Sequence, residues 1–555
     1  MLKKLVRMLF GKSGQSTTDT GKTDARKKTG KDAADSSRTR NAGPGKSSET
    51  RARKPRSSHD TAGAGTGTSK RSNNTADNKT ANRHSSGGLP PALRKLDLRD
   101  VDVVAREDHN ISRRDISPNA LKVLYRLNDA GFQAFLVGGG VRDLLLGGHP
   151  KDFDISTDAT PEQVREVFRN SRIIGRRFKI AHVRFGQEII EVTTFRAHHE
   201  IETEVEEGES RKHIRDLDSA HSSTGMILRD NVYGSINEDA LRRDFTVNAL
   251  YYTTNGFWLL DFVDGLPDIK NKLIRMIGDP EQRYREDPVR ILRAIRLAAK
   301  LDFKIHKDTE TPIAKLATLL ESISSARLFD ETVKLFTGGS AEATFELLRR
   351  YKVADYLFKP TLRCLGDNNS NDSRLVLLAL QNTDKRLADG KSVTPAFLYA
   401  ALLWPPMQAL LREEFGDRPA PLAAMQDAAT DVIVEQLRFT AIPKRFTAVM
   451  REIWELQWRM QPQSRKQVES VIAHPRFRAA YDFLLLREES GEQLNNAGDW
   501  WTRFQLADRG EQEVMIEGLQ AVKAPRKRRR KPNKSSAASK QADQPQAQKT
   551  EPAGD

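Results

Sequence analysis

The chain has 555 residues and a formal net charge of +16, with 91 lysines and arginines against 75 aspartates and glutamates. This excess of positive charge indicates an anionic partner, and nucleic acid is the usual one. The single cysteine, Cys364, excludes a disulfide framework and a cysteine-based zinc cluster, which fits a reducing, cytoplasmic setting. No apolar run reaches the length of a transmembrane helix.

The N-terminal segment predicts a basic arm without fixed structure. Residues 12–86 are mainly Ser, Thr, Gly, Lys, Arg and Asp, so they cannot bury enough surface to offset the entropy of ordering. We therefore assign residues 1–88 to a disordered basic arm. Its first residues, MLKKLVRMLFGK, fit either a frayed tail or a short amphipathic helix in weak contact with an anionic membrane surface.

The ordered sequence is predicted to begin near Leu89 and to open with a helix and a strand. Ser117 is a suitable N-cap for a helix that has Pro118 at its first position and ends at Gly131. The apolar run at residues 134–137 predicts the strand that follows.

The strand leads into the strongest functional signal, LVGGGVRDLLLGGHPKDFD at residues 136–154. Alternate strand residues share a face, so Asp152 and Asp154 are predicted to lie side by side. Their mutual repulsion favours cations between them, and two Mg²⁺ ions held by shared carboxylates meet that need. The glycines allow close approach of a ligand, and the helix N-terminus behind them favours phosphate. Together these features indicate nucleotidyl transfer, although DFD alone also fits an exposed acidic strand end.

A further carboxylate is predicted to lie near this pair. Thr160 and Pro161 begin a helix, and residues 172–196 then alternate as two hairpin strands joined at Gly186–Gln187. Glu191 lies in the second strand. Because neighbouring strands are about 4.8 Å apart, its carboxylate can face the aspartate pair, and a solvent-facing position is the alternative.

The second motif is EDALRRDFTVNA at residues 238–249. Arginine clamps phosphate oxygens in bidentate fashion, so the pair of Arg242 and Arg243 is a candidate ligand of a triphosphate. The carboxylate of Asp244 can complete a metal site or position an arginine. For this motif alone, an ordinary helix salt bridge is the alternative.

The third motif is RYREDPVRILRAIR at residues 283–296. Asp287, Arg290, Arg293 and Arg296 recur every three residues, which predicts that they follow one side of a helix. A carboxylate and an arginine three residues apart can read a base edge, and the further arginines can reach phosphate or RNA. A solvated charged stripe is the alternative. Beyond residue 308 the apolar spacing is helical, and a basic tail that includes RKRRR begins near Lys523.

These three motifs, in this order, resemble the class II nucleotidyltransferases of the DNA polymerase β superfamily, which include bacterial poly(A) polymerases and CCA-adding enzymes. The second motif is similar to that family's E-D-x-x-R-R-D-F-T-x-N-A. The segments GRRFKIAHVRFG, TTFRAHHE and HPRFRAAYDFLLLR are most similar to proteobacterial poly(A) polymerases. The resemblance implies an α+β fold, with a small mixed-sheet catalytic head at 89–264, a helical neck at 265–330, a helical RNA-binding body and C-terminal region at 331–520, and a disordered basic tail at 521–555.

The resemblance also implies a template-independent adenylyltransferase that adds AMP from ATP to RNA 3′ ends and releases pyrophosphate. Two Mg²⁺ ions bind Asp152 and Asp154, and Asp244 is the third catalytic carboxylate, with Glu191 as its geometric rival. The nucleotide-binding residues are implied to be Gly139, Arg142 and Arg243 at the triphosphate, Asp287 and Arg290 at the base, and Arg293 and Arg296 at phosphate or RNA.

The implied partners are RNA 3′ ends and the RNA-decay machinery, and nothing in the sequence requires more than a monomer. The nearest alternative function is a CCA-adding tRNA nucleotidyltransferase, which shares all three motifs. A catalytically idle RNA-binding adaptor and a nucleic-acid chaperone are the alternatives from other functional classes.

Overall fold

The fold is taken from a computed structural model that describes residues 90, 93–175, 179–197, 204–205, 219–222, 227–230, 232–366, 370–416 and 418–521. The predicted disordered arm and, from residue 522 onward, the predicted basic tail lie outside the described residues. Within the described residues, no helix is both long and apolar enough to cross a membrane.

Strands dominate the first half of the described chain. They are β1 Asp102–Val104, β2 Ala134–Val137, β3 Asp154–Thr157, β4 Ser171–Ile174, β5 Ile180–Phe185, β6 Glu188–Thr194, β7 Glu204–Val205, β8 Ser219–Ser222, β9 Ile227–Asp230, β10 Leu250–Tyr252, β11 Leu259–Asp261, β12 Leu273–Ile274 and β13 Lys304–Ile305.

Helices dominate the second half. They are α1 Pro118–Asp129, α2 Gly139–Leu145, α3 Pro161–Val167, α4 Ile236–Leu241, α5 Gly265–Lys270, α6 Pro280–Glu286, α7 Val289–Leu301, α8 Lys307–Glu310, α9 Ile313–Leu316, α10 Ser325–Phe336, α11 Ala341–Arg350, α12 Lys359–Leu362, α13 Asn371–Ala388, α14 Pro395–Leu402, α15 Trp404–Phe415, α16 Leu422–Gln436, α17 Lys444–Arg459, α18 Arg465–Ile472, α19 Phe477–Ser490, α20 Ala497–Leu506 and α21 Arg509–Ala521. Short 3₁₀ turns occur at Leu93–Lys95, Arg106–Asp108, Arg113–Asp115, Thr246–Asn248, Ala317–Ser322 and Ala354–Tyr356.

The central sheet has eight strands in the order β1-β11-β10-β2-β3-β6-β5-β4. Among the described pairs of this sheet, β3 and β6 are parallel and the other neighbours are antiparallel. Helices α1 and α3 pack on one face of the sheet, and α4 packs on the other. The mixed sheet followed by helices confirms the predicted α+β class.

Local capping signals place the elements around the sheet as predicted. The Ser117 hydroxyl accepts the N–H groups of Asn119 and Ala120 at the start of α1. Thr160 forms a capping box with Gln163 at the start of α3. The hairpin between β5 and β6 turns at Gly186, whose φ of 63° is favourable for glycine.

Two predictions about the motifs were wrong in detail. Asp152 does not lie in a strand with Asp154, because β2 ends at Val137, the pairing partner of Asp154, and Gly138 turns away with φ 73°. Asp287 does not lie on the helix with the three arginines. It separates α6 from α7 in an extended conformation, because the residue before a proline is disfavoured in a helix, and Pro288 follows it.

The helices enclose two apolar cores. A large core runs from Phe245 through α7, α10, α11 and α14 to Phe483. A smaller core joins the end of α17 to α18, α19, α20 and α21. Since Phe245 and Val247 of the second motif belong to the large core, that motif is fixed against the helices as well as the sheet.

Candidate active site

A row of carboxylates crosses the sheet at the start of β3. Asp154 pairs with Glu191 on the parallel strand β6, so their side chains lie beside each other on one face. Burial, together with the nearby charges of Glu191 and Asp152, raises the pKa of Asp154 to about 6. Asp152 itself is exposed. His182 on β5 lies 3.2 Å from Glu191 and continues the row.

The three glycines pass directly beside this row. A Cβ atom on Gly138 would lie 3.5 Å from a carboxylate oxygen of Asp154, and one on Gly140 would lie 3.4 Å from the carbonyl oxygen of Asp152. A Cβ atom on Gly139 would lie 3.2 Å from the guanidinium of Arg142. The turn between β2 and α2 is therefore in close contact with both aspartates.

The three carboxylates match the chemistry of a Mg²⁺ site. No group of three or more His, Cys, Asp or Glu side chains in the described part of the chain already has metal-binding geometry. Mg²⁺ typically binds one or two carboxylates and completes its shell with water and substrate phosphate. Asp152 and Asp154 can supply hard oxygen ligands, and burial together with the neighbouring carboxylates raises the pKa of Asp154 despite the charges of Arg243 and Arg293.

Asp239 organises the arginine pair of the second motif. Its buried carboxylate accepts hydrogen bonds from Arg242 at 2.9 Å, Arg243 at 3.0 Å, Tyr251 at 2.8 Å and Ser156 at 3.1 Å. Burial opposes ionisation, but the charges of Arg243 and Arg242 outweigh it and hold the pKa well below its usual range.

Asp239 was not among the site residues predicted from the sequence. Its spacing of three and four residues from the two arginines is a signal for intrahelical ion pairs and would have identified it. The charge of Arg243 also reaches Asp154 and lowers its pKa. Asp239 therefore fixes an arginine beside the carboxylate row.

Asp244 is neutralised by the third motif. It accepts a hydrogen bond from Arg293 on α7 at 2.6 Å and another from the backbone N–H of Phe245 at 2.8 Å. Burial opposes ionisation of Asp244, but Arg293 and the hydrogen bonds lower its pKa to about 2. The carboxylate is thus ionised and already paired with a cation.

Asn248 connects Asp244 to Arg142. Its amide donates to Asp244 at 3.3 Å, and its carbonyl oxygen accepts from Arg142 at 2.6 Å. Arg142 is buried and also donates to Asp143 at 2.8 Å, while Lys300 from α7 contacts the other oxygen of Asp143 at 3.4 Å. A continuous polar network therefore joins α2 to α7.

The remaining charged residues of the third motif have different surroundings. Both oxygens of Asp287 accept from Arg327 on α10, at 2.9 and 3.0 Å. Arg290 donates to Glu286 at 2.7 Å. Arg296 makes no direct polar contact with any described residue, and burial followed by the charge of Arg293 lowers its pKa.

Arg283 is a structural residue that was not among those predicted from the sequence. Its buried guanidinium donates to the carbonyl oxygens of Arg242 and Arg243, the latter at 2.7 Å, and to Glu286 at 2.7 Å. Burial lowers its pKa to about 10. Arg283 thus attaches α6 to the end of α4. A lone arginine within a basic motif carried no signal for this role.

The predicted site residues therefore form three neighbouring groups. Asp152, Asp154 and Gly139 lie with Glu191 at the sheet, and the charges of Arg243 and Arg293 both reach Asp154. The second group is the network of Arg142, Asp244 and Arg293, which the charge of Arg296 also reaches. The third group, Asp287 and Arg290, flanks the junction between α6 and α7.

Three family models match the chain. "Poly A polymerase head domain" matches residues 134–275, "Probable RNA and SrmB- binding site of polymerase A" matches 302–365, and "Polymerase A arginine-rich C-terminus" matches 417–535. The first match contains the carboxylate row and the second motif, and the last contains α16 to α21.

Curated relatives share much of the chain. A poly(A) polymerase I of Haemophilus influenzae is 42% identical over 430 residues, covering 76% of this chain and 92% of that protein. A CCA-adding enzyme of Lactobacillus helveticus is 37% identical over 233 residues, covering 42% of this chain and 53% of that protein. A poly(A) polymerase I of Salmonella typhimurium is 48% identical over 440 residues, covering 78% of this chain and 92% of that protein. Since this last similarity extends over almost the whole relative, the chain belongs to the poly(A) polymerase I family.

Proposed function

We propose that this enzyme adds AMP from ATP to the 3′ ends of RNA, without a template and with release of pyrophosphate, and thereby promotes RNA decay. The observation that carries the proposal is the pairing of Asp154 with Glu191, next to Asp152 and the glycine turn and within reach of two arginine charges. Crowded carboxylates beside cations suit a reaction in which metal ions and a triphosphate meet.

Asp152, Asp154 and Glu191 are the residues that would hold two Mg²⁺ ions. When bound, such ions lower the pKa of an attacking hydroxyl and stabilise a leaving pyrophosphate. The geometry supports Glu191 over Asp244 as the third carboxylate, because Glu191 is paired in register with Asp154, whereas Asp244 is neutralised by Arg293. Asp244 then positions Arg293.

The arginines have different roles in binding the triphosphate. Arg296 has no direct polar partner among the described residues, so its guanidinium is available to phosphate oxygens. The positive charges of Arg243 and Arg293 lie near Asp154 and also attract the phosphate oxygens. Arg142 is committed to Asn248 and Asp143, so it orients α2, while Gly139 lets the substrate approach the backbone.

Asp287 and Arg290 suit recognition of the adenine base. Adenine presents an amino donor beside a ring-nitrogen acceptor, which match a carboxylate and a guanidinium. A carboxylate has about four acceptor positions, so Asp287 can accept from the base while it keeps its bonds to Arg327. Arg290 keeps further N–H groups beyond the one that contacts Glu286.

The test uses purified full-length protein, Mg²⁺ and a generic RNA, with ATP and CTP supplied separately. A long product ladder with ATP alone supports the proposal. Asp154→Asn and Glu191→Gln are expected to abolish AMP incorporation. The matched control is Asp158→Asn, because Asp158 is exposed and accepts an N–H from Gln133 that asparagine also accepts. Near-normal incorporation by Asp154→Asn would refute the metal assignment.

A comparison of Asp244→Asn with Glu191→Gln tests which of the two residues is the third carboxylate of the metal site. Loss of the charge-assisted bonds to Arg293 costs about 1.5–3 kcal/mol, or about 10- to 150-fold in rate at most. Loss of a metal ligand should exceed this. If Asp244→Asn were the more damaging change, Asp244 would be the third carboxylate.

CCA addition is the second candidate, because the CCA-adding relative shares 37% identity over 233 residues. One or two additions confined to tRNA and requiring both nucleotides would establish it. The similarity over 92% of a poly(A) polymerase I and the match of 417–535 to the arginine-rich C-terminus favour polyadenylation.

We further propose that the enzyme is a cytoplasmic monomer that contacts RNA-decay machinery. The match of residues 302–365 to a probable RNA- and SrmB-binding site supports a partner surface there. Light scattering during gel filtration would test the monomer. The segment proposed to contact membrane weakly, residues 1–12, lies outside the described residues, and vesicle flotation of the full chain would test it.

A further inference from the structure

A cleft lies among the C-terminal helices, away from the carboxylate row. Its walls come from α15 to α19 and the loops next to them, and its volume is about 800 Å³. This is within the range of about 300–1,000 Å³ that is usual for ligand sites. All of its lining residues belong to the segment from Trp404 to Asn495, so the cleft is separate from the nucleotide site proposed above.

The cleft is suited to an anion. Arg459 and Lys466 line it, and neither contacts a carboxylate among the described residues, while no described aspartate or glutamate lines it. A second cleft, between α15 and α16, has the opposite character. It is lined by Glu413, Glu414 and two further carboxylates, Asp427 and Asp431, without a basic side chain among its described residues. The first cleft therefore differs from the second in carrying basic side chains without lining carboxylates among the residues that the structure describes.

The lining also suits a nucleobase. The indole of Trp458 is 49% exposed in the cleft, and its N–H has no hydrogen bond to a described residue. The side-chain amides of Gln408 and Gln463 are also without partners in the described part of the chain. Amides offer a donor and an acceptor to a base edge, and an exposed aromatic ring offers a stacking surface.

The floor of the cleft is rigid. The Arg487 guanidinium stacks on the buried ring of Trp404, 4.6 Å from its centroid, and is neutralised by Glu492. Gln457 is buried, donates to the carbonyl of Ala480 at 2.8 Å and accepts from Arg487 at 3.1 Å. The Gln457 amide and the Arg487 guanidinium, which both have fixed partners, therefore support the lining groups that have none among the described residues.

We propose that this cleft binds a nucleobase of single-stranded RNA, stacked on Trp458, with the adjoining phosphates beside Lys466 and Arg459. It is a second RNA contact that retains the strand between additions. The inference shares with the proposed function only the premise that RNA is the ligand. Binding is measured without ATP, so a failure of AMP transfer would leave this test intact.

The experiment measures binding of a short labelled oligoadenylate to the full-length protein by fluorescence anisotropy. Trp458→Ala is expected to raise Kd by about 5- to 150-fold, the cost of losing one stacked base. Trp458→Phe keeps an aromatic surface and should stay within about threefold of wild type. Lys466→Glu should weaken binding more than Lys385→Glu, which is the matched control, because Lys385 is exposed on α13 outside the cleft.

A second readout follows Trp458 directly. Stacking should quench part of the tryptophan fluorescence of the wild type, and that part should be absent from Trp458→Phe. AMP should not displace the oligonucleotide, since a single nucleotide lacks the adjoining phosphates. Equal Kd values for wild type and Trp458→Ala, equal effects of the two lysine variants, or displacement by AMP would each overturn the proposal.

Discussion

Asp239→Asn is the substitution that most directly tests how the head holds its arginines. The carboxylate is 1% exposed and forms ion pairs with Arg242 and Arg243, which are themselves 21% and 18% exposed. Asparagine has the same shape but removes the charge and replaces one acceptor oxygen with a donor. That donor would face Tyr251 or an arginine, so both arginines lose their ion pair to this carboxylate.

The expected cost is about 3–5 kcal/mol, the usual result of removing one partner from a buried pair. The effect depends on pH in a defined direction. The pKa of Asp239 in the folded protein lies below its unfolded value of about 3.9, so its contribution to stability is fully present above that value and is lost as the pH falls towards the folded pKa. The difference between wild type and variant should be constant above about pH 5 and shrink below about pH 4.

Hydrogen exchange of β3 and β10 is the appropriate measurement, because the chain contains several cores and a single global unfolding energy is not defined for it. Faster exchange in these strands, with little change in α20 and α21, is the expected result. Asp158→Asn serves as the control. If Asp239→Asn lowered the opening free energy of β10 by less than about 1 kcal/mol, the assignment of Asp239 as the organising group would be wrong.

Three further predictions follow from individual contacts. Arg327→Ala removes the residue that holds Asp287, so the preference for ATP over CTP should fall about tenfold or more in competition assays, and an unchanged ratio would contradict the base-reading role. Burial lowers the pKa of His109, whose Nδ1 accepts the N–H of Ile111. The opening free energy of the head, obtained from exchange rates corrected for the intrinsic pH dependence of amide exchange, should therefore decrease as the pH falls below about 6.5, and less so in His109→Gln. EDTA should abolish AMP incorporation and Mg²⁺ should restore it, whereas incorporation that survives chelation would exclude the metal assignment.

Local signals predicted the elements that depend on local chemistry. Ser117 and Thr160 cap their helices through their own hydroxyls, and Gly186 turns a hairpin whose strands alternate in polarity. Capping and turn interactions involve residues within about four positions of each other, so they can be recognised from the sequence without knowledge of the fold. The three motifs were found for the same reason.

The errors arose where a neighbouring element or residue overrides a repeat. The spacing of Asp287 matched the three arginines, but Pro288 imposes an extended backbone at Asp287. Asp152 matched a strand alternation, but its neighbour β2 has already ended at Val137. In both cases the residues have the spacing of a regular element, but the helix or strand does not extend over all of them.

The choice between Glu191 and Asp244 shows why the site was only partly predictable. Glu191 lies beside Asp154 because β6 pairs with β3 in parallel, and this pairing joins residues that are separated by a helix and a hairpin. Asp244 is neutralised because α7, almost fifty residues further on, places Arg293 against it. Both contacts join residues that are far apart in the chain, and the identity of the side chains does not determine which residues of distant elements are paired. The same pairings make the site a joint product of sheet and helices: the sheet supplies excess negative charge, and the arginines that balance it come from α7 and the end of α4. Neither part alone has the composition expected of a nucleotide site, and their contact through Phe245, Arg283 and Asn248 brings together the residues proposed to form one.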